Sequence, residues 1–219
     1  MVTIKVQVWD WPLRLFHWLL VLAVVACYVT GELGGSLTDW HGRFGSLVLG
    51  LLVFRLIWGF IGPTHARFSD FFPTIDKLSA YFKGEWQGAG HNPLGSLSVF
   101  ALLGILLFLV MTGLFANDDI AFEGPWFQLV DKELSDKLSG WHDWAVDLLI
   151  ALVALHIAAI LFYLFFKKTN LVTAMLTGHQ FLPESIASRP IGKVNLLKFI
   201  ISLLISCSVA WGVWKIGIG

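Results

Sequence analysis

The chain has 219 residues, 57% of them hydrophobic and 14% charged, and its 15 Lys+Arg balance its 15 Asp+Glu. A soluble domain carries about 25% charged residues, so this composition, with a mean hydropathy of +0.75, excludes one and indicates an integral membrane protein. The absence of a basic tract excludes a nucleic-acid partner. Cys27 and Cys207 lie in apolar runs without a C-x-x-C or C-x-x-C-H spacing, which excludes a thiolate metal pair and reads as two inert buried thiols.

The N-terminal segment Val2–Val8 alternates roughly and ends in Trp9, Asp10 and Trp11, an interfacial aromatic belt. No cleavable signal pattern opens the chain. Pro12 suits a first helical turn, and a first spanning helix is predicted over about 12–30, with Arg14 and His17 near its start. Glycine-rich residues 31–37 follow as a loop. A second helix is predicted over about 38–61, with His41 in its first turn, stopped by Gly62-Pro63.

Residues 64–93 are a polar connection with one short interfacial helix over 75–82. Asn92-Pro93 opens a third helix over about 93–115, and an acidic loop fills 117–137. The fourth helix covers about 139–166 and carries His142 and His156. After a polar loop, a fifth spans about 194–216. There is no internal repeat and no separate soluble domain, so the expected architecture is one all-α membrane domain over 1–219: a four-helix transmembrane bundle plus a fifth C-terminal helix.

Orientation follows from Lys and Arg. The side with the N-terminus and the two polar loops holds ten of them, Lys5, Lys83, Arg189 and Lys193 included, whereas the other side holds Arg43, Lys132, Lys137 and Lys215. The positive-inside rule then puts the N-terminus in the cytoplasm and the C-terminus in the periplasm of a bacterial inner membrane.

The fourth helix concentrates the chemistry. His142 and His156 are fourteen residues apart, just under four turns, so they share one helix face about 21 Å apart along the axis. An ionisable side chain at that depth needs a partner. For imidazole a metal is the natural one, and in membranes haem iron is common. The plain alternative is a pair of interior histidines hydrogen-bonded to neighbouring helices. Depth also matches the remaining ligands: His17 falls with His156 toward the inner face, and His41 with His142 toward the outer face. Two b-type haems, inner and outer, would use all four. Arg55 follows His41 by fourteen residues and so reaches the depth of the inner site, where a haem propionate is a candidate anion. Arg14 and Arg43 are further propionate candidates, and Gly45 would admit a porphyrin close to the backbone. His65, His91 and His179 fall in loops and read as solvated.

The segments RLFHWLLV, WHGRFGSLVLGLLVFRLIWG and LSGWHDWAVDLLIALVALHIAAILFY resemble the bacterial cytochrome b561 family and the related b-type cytochrome subunits of nickel–iron hydrogenases. That resemblance implies a four-helix core with two haems b between the first, second and fourth helices, exchanging electrons between membrane quinone and a redox partner. The opening VWDWPLRLFHW and the segment TGLFANDDI look most like members serving periplasmic c-type cytochromes, while the fifth helix resembles the longer, hydrogenase-type members. The expected function is therefore transmembrane electron transfer between quinone and a periplasmic partner, with quinol oxidation as one direction and homo-oligomers admitted. The rivals are a superoxide:quinone oxidoreductase, a membrane anchor of a hydrogenase-like complex, and a haem-free transporter that uses buried histidines as proton relays.

Overall fold

A computed structural model describes residues 3–120, 122–183 and 192–216; Arg189, counted above for orientation, lies outside them. In chain order the elements are β1 (Thr3–Gln7), α1 (Trp11–Leu33), α2 (Thr38–Ile61), α3 (Phe68–Phe71), α4 (Ile75–Phe82), α5 (Pro93–Gly113), α6 (Lys132–Phe165), α7 (Leu171–Thr177), β2 (His179–Pro183) and α8 (Leu196–Ile216). Five of them, α1, α2, α5, α6 and α8, are long and apolar enough to cross a membrane. The described protein is thus the mostly helical, five-span membrane protein that its composition implies.

Helix starts follow local chemistry. Asp10 accepts the Leu13 N–H (2.9 Å) ahead of α1, Asn92 that of Gly95 (2.7 Å) at α5, Asp131 that of Leu134 (2.8 Å) at α6, and Asn195 that of Lys198 (3.1 Å) at α8. Each side chain satisfies one of the donors that a helix start leaves unpaired. Two boundaries differ from expectation. Helix α1 runs on through Gly31 to Leu33, where a loop was expected. Helix α6 begins at Lys132, a full two turns before Ser139, because the Asp131 cap and the i,i+4 pairs Lys132–Asp136 (2.6 Å) and Glu133–Lys137 (2.7 Å) carry the helix through what reads as an acidic loop.

The chain divides into two compact units. One comprises Met1–Leu15, Leu56–Ala101 and Leu152–Ile200. Here β1 pairs antiparallel with β2, Lys5 facing Phe181, and the Val8 and Trp9 N–H groups donate to the Gly178 carbonyl (2.8 and 3.1 Å). Gly178 ends α7 with φ 82°, and a Cβ there would lie 2.7 Å from the Trp9 oxygen, so the junction requires glycine. Trp58, nearly fully buried, donates from Nε1 to Asp10 (3.2 Å). Phe68 fills the space above Gly59, where a Cβ would come within 2.1 Å of its ring.

The other unit comprises Phe16–Arg55, Leu102–Ala151 and Ile201–Gly219. Ala23, Val48, Leu52 and Leu106 form one buried cluster, and Leu49, Leu114 and Val213 another. Helix α8 approaches α2 closely at Gly50, where a Cβ would stand 3.0 Å from Ala210 Cβ and 3.1 Å from the Ser206 oxygen. Small residues at that contact are the usual means by which helices pack tightly in lipid. Cys207 is exposed on α8 rather than buried, which costs a thiol little where the surroundings are hydrocarbon.

Candidate functional site

In the second unit, α2 carries His41 and α6 carries His142, and their rings come together with centroids 6.0 Å apart and planes at 79°. The Nδ1–H of His41 donates to the Cys27 carbonyl on α1 (2.9 Å), and that of His142 donates to the Leu109 carbonyl on α5 (2.9 Å). A carbonyl only accepts, so each bond places a proton on Nδ1, and Nε2 is the ring nitrogen left to bind a metal. Thr112 reinforces the second bond. Its hydroxyl donates to the Phe108 carbonyl (2.9 Å) and turns its oxygen to within 3.2 Å of His142 Nδ1.

Two glycines seat these rings. A Cβ on Gly31 would lie 2.9 Å from His41 Nδ1, and one on Gly113 would lie 3.1 Å from His142 Cε1. Both imidazoles therefore rest against bare backbone on α1 and α5. Gly45, one turn after His41, has nothing within 4 Å of where its Cβ would be.

The donor chemistry fits haem iron. Two imidazoles that grip one metal atom from opposite sides, each nitrogen about 2 Å away, set their ring centres about 6 Å apart. A metal-bound histidine typically gives its other N–H to a carbonyl or carboxylate, which fixes ring and tautomer, and both rings here do so. Among the described residues no cluster of three His, Cys, Asp or Glu is placed to hold a bare metal ion. A pair of imidazoles alone suits a metal whose remaining ligands arrive with it, as iron does in porphyrin.

The other residues singled out by sequence fall as follows. His156, in the first unit, has Nδ1 3.3 Å from the Ser98 hydroxyl on α5. His17, in the second, stands edge-on to Trp18 at 5.0 Å. Arg55 is 2% exposed. Arg14 donates from Nη1 to the Leu176 carbonyl at the end of α7. Arg43 is exposed, its guanidinium 4.7 Å from the Trp40 ring and 5.2 Å from the Trp214 ring. It borders a cavity of about 890 Å³ with Asp39, Asn117, Phe122 and Lys132, and none of the four histidines lines that cavity.

Of the loop histidines, whose positions suggested solvation, His65 is buried and His91 half-buried. His65 is 5% exposed and lies 3.0 Å from Asp70. His91 packs between Trp9 (4.4 Å) and Phe71 (4.5 Å). The one sequence signal for His65 was its own short turn after Pro63, with an acid five residues on.

A five-span helical membrane protein with two imidazoles facing each other between helices belongs to the class of membrane cytochromes b. The sequence profile of the prokaryotic cytochrome b561 family matches residues 8–178, and the chain belongs to that family. It is therefore a b-type cytochrome, a haem b protein of electron transport. Among its relatives, a probable Ni/Fe-hydrogenase B-type cytochrome subunit of Azotobacter chroococcum is 29% identical over 62% of this chain and 66% of its own length. A protein of the same description from Rhizobium leguminosarum bv. viciae is 22% identical over 80% of this chain and 89% of its own. The probable Ni/Fe-hydrogenase 1 B-type cytochrome subunit of Escherichia coli K12 is 22% identical over 79% and 89%. No solved structure matches the chain.

Proposed function

We propose that this protein is a dihaem cytochrome b that carries electrons across the bacterial inner membrane between quinone and a redox protein at the periplasmic face. The observation that carries the reading is the His41–His142 pair, 6.0 Å apart with both Nδ1–H groups held by backbone carbonyls. His41 and His142 would be the axial ligands of an outer haem. The matched sequence depths of His17 and His156 support a second, inner haem. A haem held by two such histidines would supply one-electron transfer. The protein's part is to hold the imidazoles in one tautomer and orientation and to exclude water. Arg55, 2% exposed on α2 and level in sequence depth with the inner ligands, would meet a propionate of the inner haem, with Arg14 and Arg43 as further candidates.

For the partner, the names of the relatives favour a hydrogenase-like oxidoreductase for which this chain is the membrane cytochrome subunit. A periplasmic c-type cytochrome is the alternative. Two experiments test the reading. A pyridine haemochrome assay of the purified protein should give two haems b per chain, and one or none would exclude the dihaem model. In liposomes, a short-chain quinol should reduce the haems, or reduced haems should be oxidised by the quinone, whereas inertness to both would exclude quinone as partner.

A further inference from the structure

Helix α5 carries no histidine, yet it meets both histidines of α6. Ser98 and Thr112 stand fourteen residues apart on α5, as His142 and His156 do on α6, so each helix carries its pair on one face. In the first unit the Ser98 hydroxyl lies 3.3 Å from His156 Nδ1, and in the second the Thr112 hydroxyl lies 3.2 Å from His142 Nδ1. The two contacts are not equivalent. His142 also has the Leu109 carbonyl at 2.9 Å and rests on Gly113. Leu109, Thr112 and Gly113 are positions i, i+3 and i+4 of α5, so neighbouring turns bring carbonyl, hydroxyl and bare backbone to one ring. Thr112 is 3% exposed, out of reach of water.

The protons available fix what Thr112 does. The Leu109 carbonyl only accepts, so the proton between it and His142 sits on Nδ1. The Thr112 oxygen therefore meets an N–H and must accept. Its own proton goes to a carbonyl of the preceding turn, that of Phe108 (2.9 Å) or of Leu109 (3.1 Å), as a threonine inside a helix commonly arranges. The His142 N–H is thus shared between two oxygens in a setting of low dielectric, where linked hydrogen bonds strengthen one another. His41, by contrast, gives its Nδ1–H to the Cys27 carbonyl (2.9 Å) with no hydroxyl beside it among the described hydrogen bonds.

We infer that Thr112 is a positioning residue that sets the potential of the haem bound at His142, its oxygen drawing on the Nδ1–H and so raising the basicity of Nε2. This rests on the reading of His142 as a haem ligand and adds a residue, on a helix that supplies no ligand, that tunes it. Hydrogen bonding to a ligating histidine is one of the levers by which a protein moves a haem potential. Electron density pushed onto the nitrogen that faces iron favours the oxidised, more positive metal. Loss of the Thr112 oxygen should therefore raise the midpoint potential.

The test is a redox titration of the detergent-purified, haem-loaded protein, with haem per chain measured on the same samples. His142→Ala identifies the component of this site as the one it removes. Thr112→Val keeps the branched shape without the oxygen, and that component should titrate higher by about threefold to tenfold in its one-electron equilibrium, roughly 30–60 mV at 59 mV per tenfold. Should valine crowd the ring and cost haem, Thr112→Ala removes the same oxygen without added bulk and carries the same expectation. Thr112→Ser keeps the oxygen, drops the methyl and should titrate as the wild type. Ser98→Ala should leave this component in place. With haem content unchanged, an unmoved potential without the oxygen, a shift in Thr112→Ser as large as in Thr112→Val, or an equal shift in Ser98→Ala would overturn the tuning role while the haem reading stands. If the wild type holds no haem, or His142→Ala removes none, both fall.

Discussion

Gly31 stands directly beneath the imidazole of His41: a Cβ on Gly31 would lie 2.9 Å from Nδ1, the atom that donates to the Cys27 carbonyl. Glycine inside a helix costs up to about 1 kcal/mol relative to alanine, so on helix propensity alone Gly31→Ala should stabilise the protein. We expect the opposite. The added methyl pushes the ring off its carbonyl, and the variant should lose or weaken one haem, seen as a fall in haem per chain or a high-spin component in the absorption spectrum. Gly113→Ala, where the nearest ring atom is 3.1 Å away, should give the same change more mildly. Wild-type spectra in both variants would mean the rings have room to spare.

The ligand pairs predict a grouping. His41→Ala and His142→Ala should damage one haem signal, and His17→Ala and His156→Ala the other, as read by EPR or potentiometric titration. Within a pair the double variant should be no worse than either single, because one lost ligand already opens the iron. If His41→Ala and His142→Ala affected different haems, the facing rings would not be a ligand pair.

Arg55→Leu removes a buried cation. A positive charge near a haem favours the reduced state, so its loss should lower the midpoint potential of the inner haem by tens of millivolts, about 59 mV for each tenfold change in the one-electron equilibrium. Arg55→Lys should restore only part of it, since an ammonium lacks the planar fork. An unmoved potential in Arg55→Leu would assign the residue a packing role.

Gly59→Ala should be strongly destabilising, because its methyl would sit 2.1 Å from the Phe68 ring. Thermal unfolding of the detergent-solubilised protein should show a Tm drop, and adding Phe68→Leu should recover part of it by making room. A Tm unchanged in Gly59→Ala would mean the loop bearing Phe68 swings aside freely.

Gly31 also marks where reading the sequence stopped short. Next to Gly34 and Gly35 it reads as loop, yet it is helical, and its reason is a ring fourteen positions from Cys27 on another helix. The five spanning helices were legible because their signal, a long apolar run, is local. The facing of His41 and His142 was legible because helix rise converts sequence position into depth. The glycine cradles, the carbonyls of Cys27 and Leu109, and the burial of His65 were not, since each depends on which helix lies alongside. The strand pairing was likewise hidden: Thr3–Gln7 alternates only roughly, and its partner is near the other end of the chain.

That pairing has a consequence for how the protein is made. Strand β2 begins at His179, 172 positions after β1 ends at Gln7. A ribosome adding about 5–20 residues per second needs roughly 10–35 s to cover that stretch. For that interval the first strand has no partner and the Val8 and Trp9 amides no Gly178 carbonyl to bind, although four spanning segments have already been synthesised. The clasp at the chain's start is therefore among the last contacts to close, and a protein stalled before residue 179 would hold most of its apolar helices with its N-terminal arm still loose.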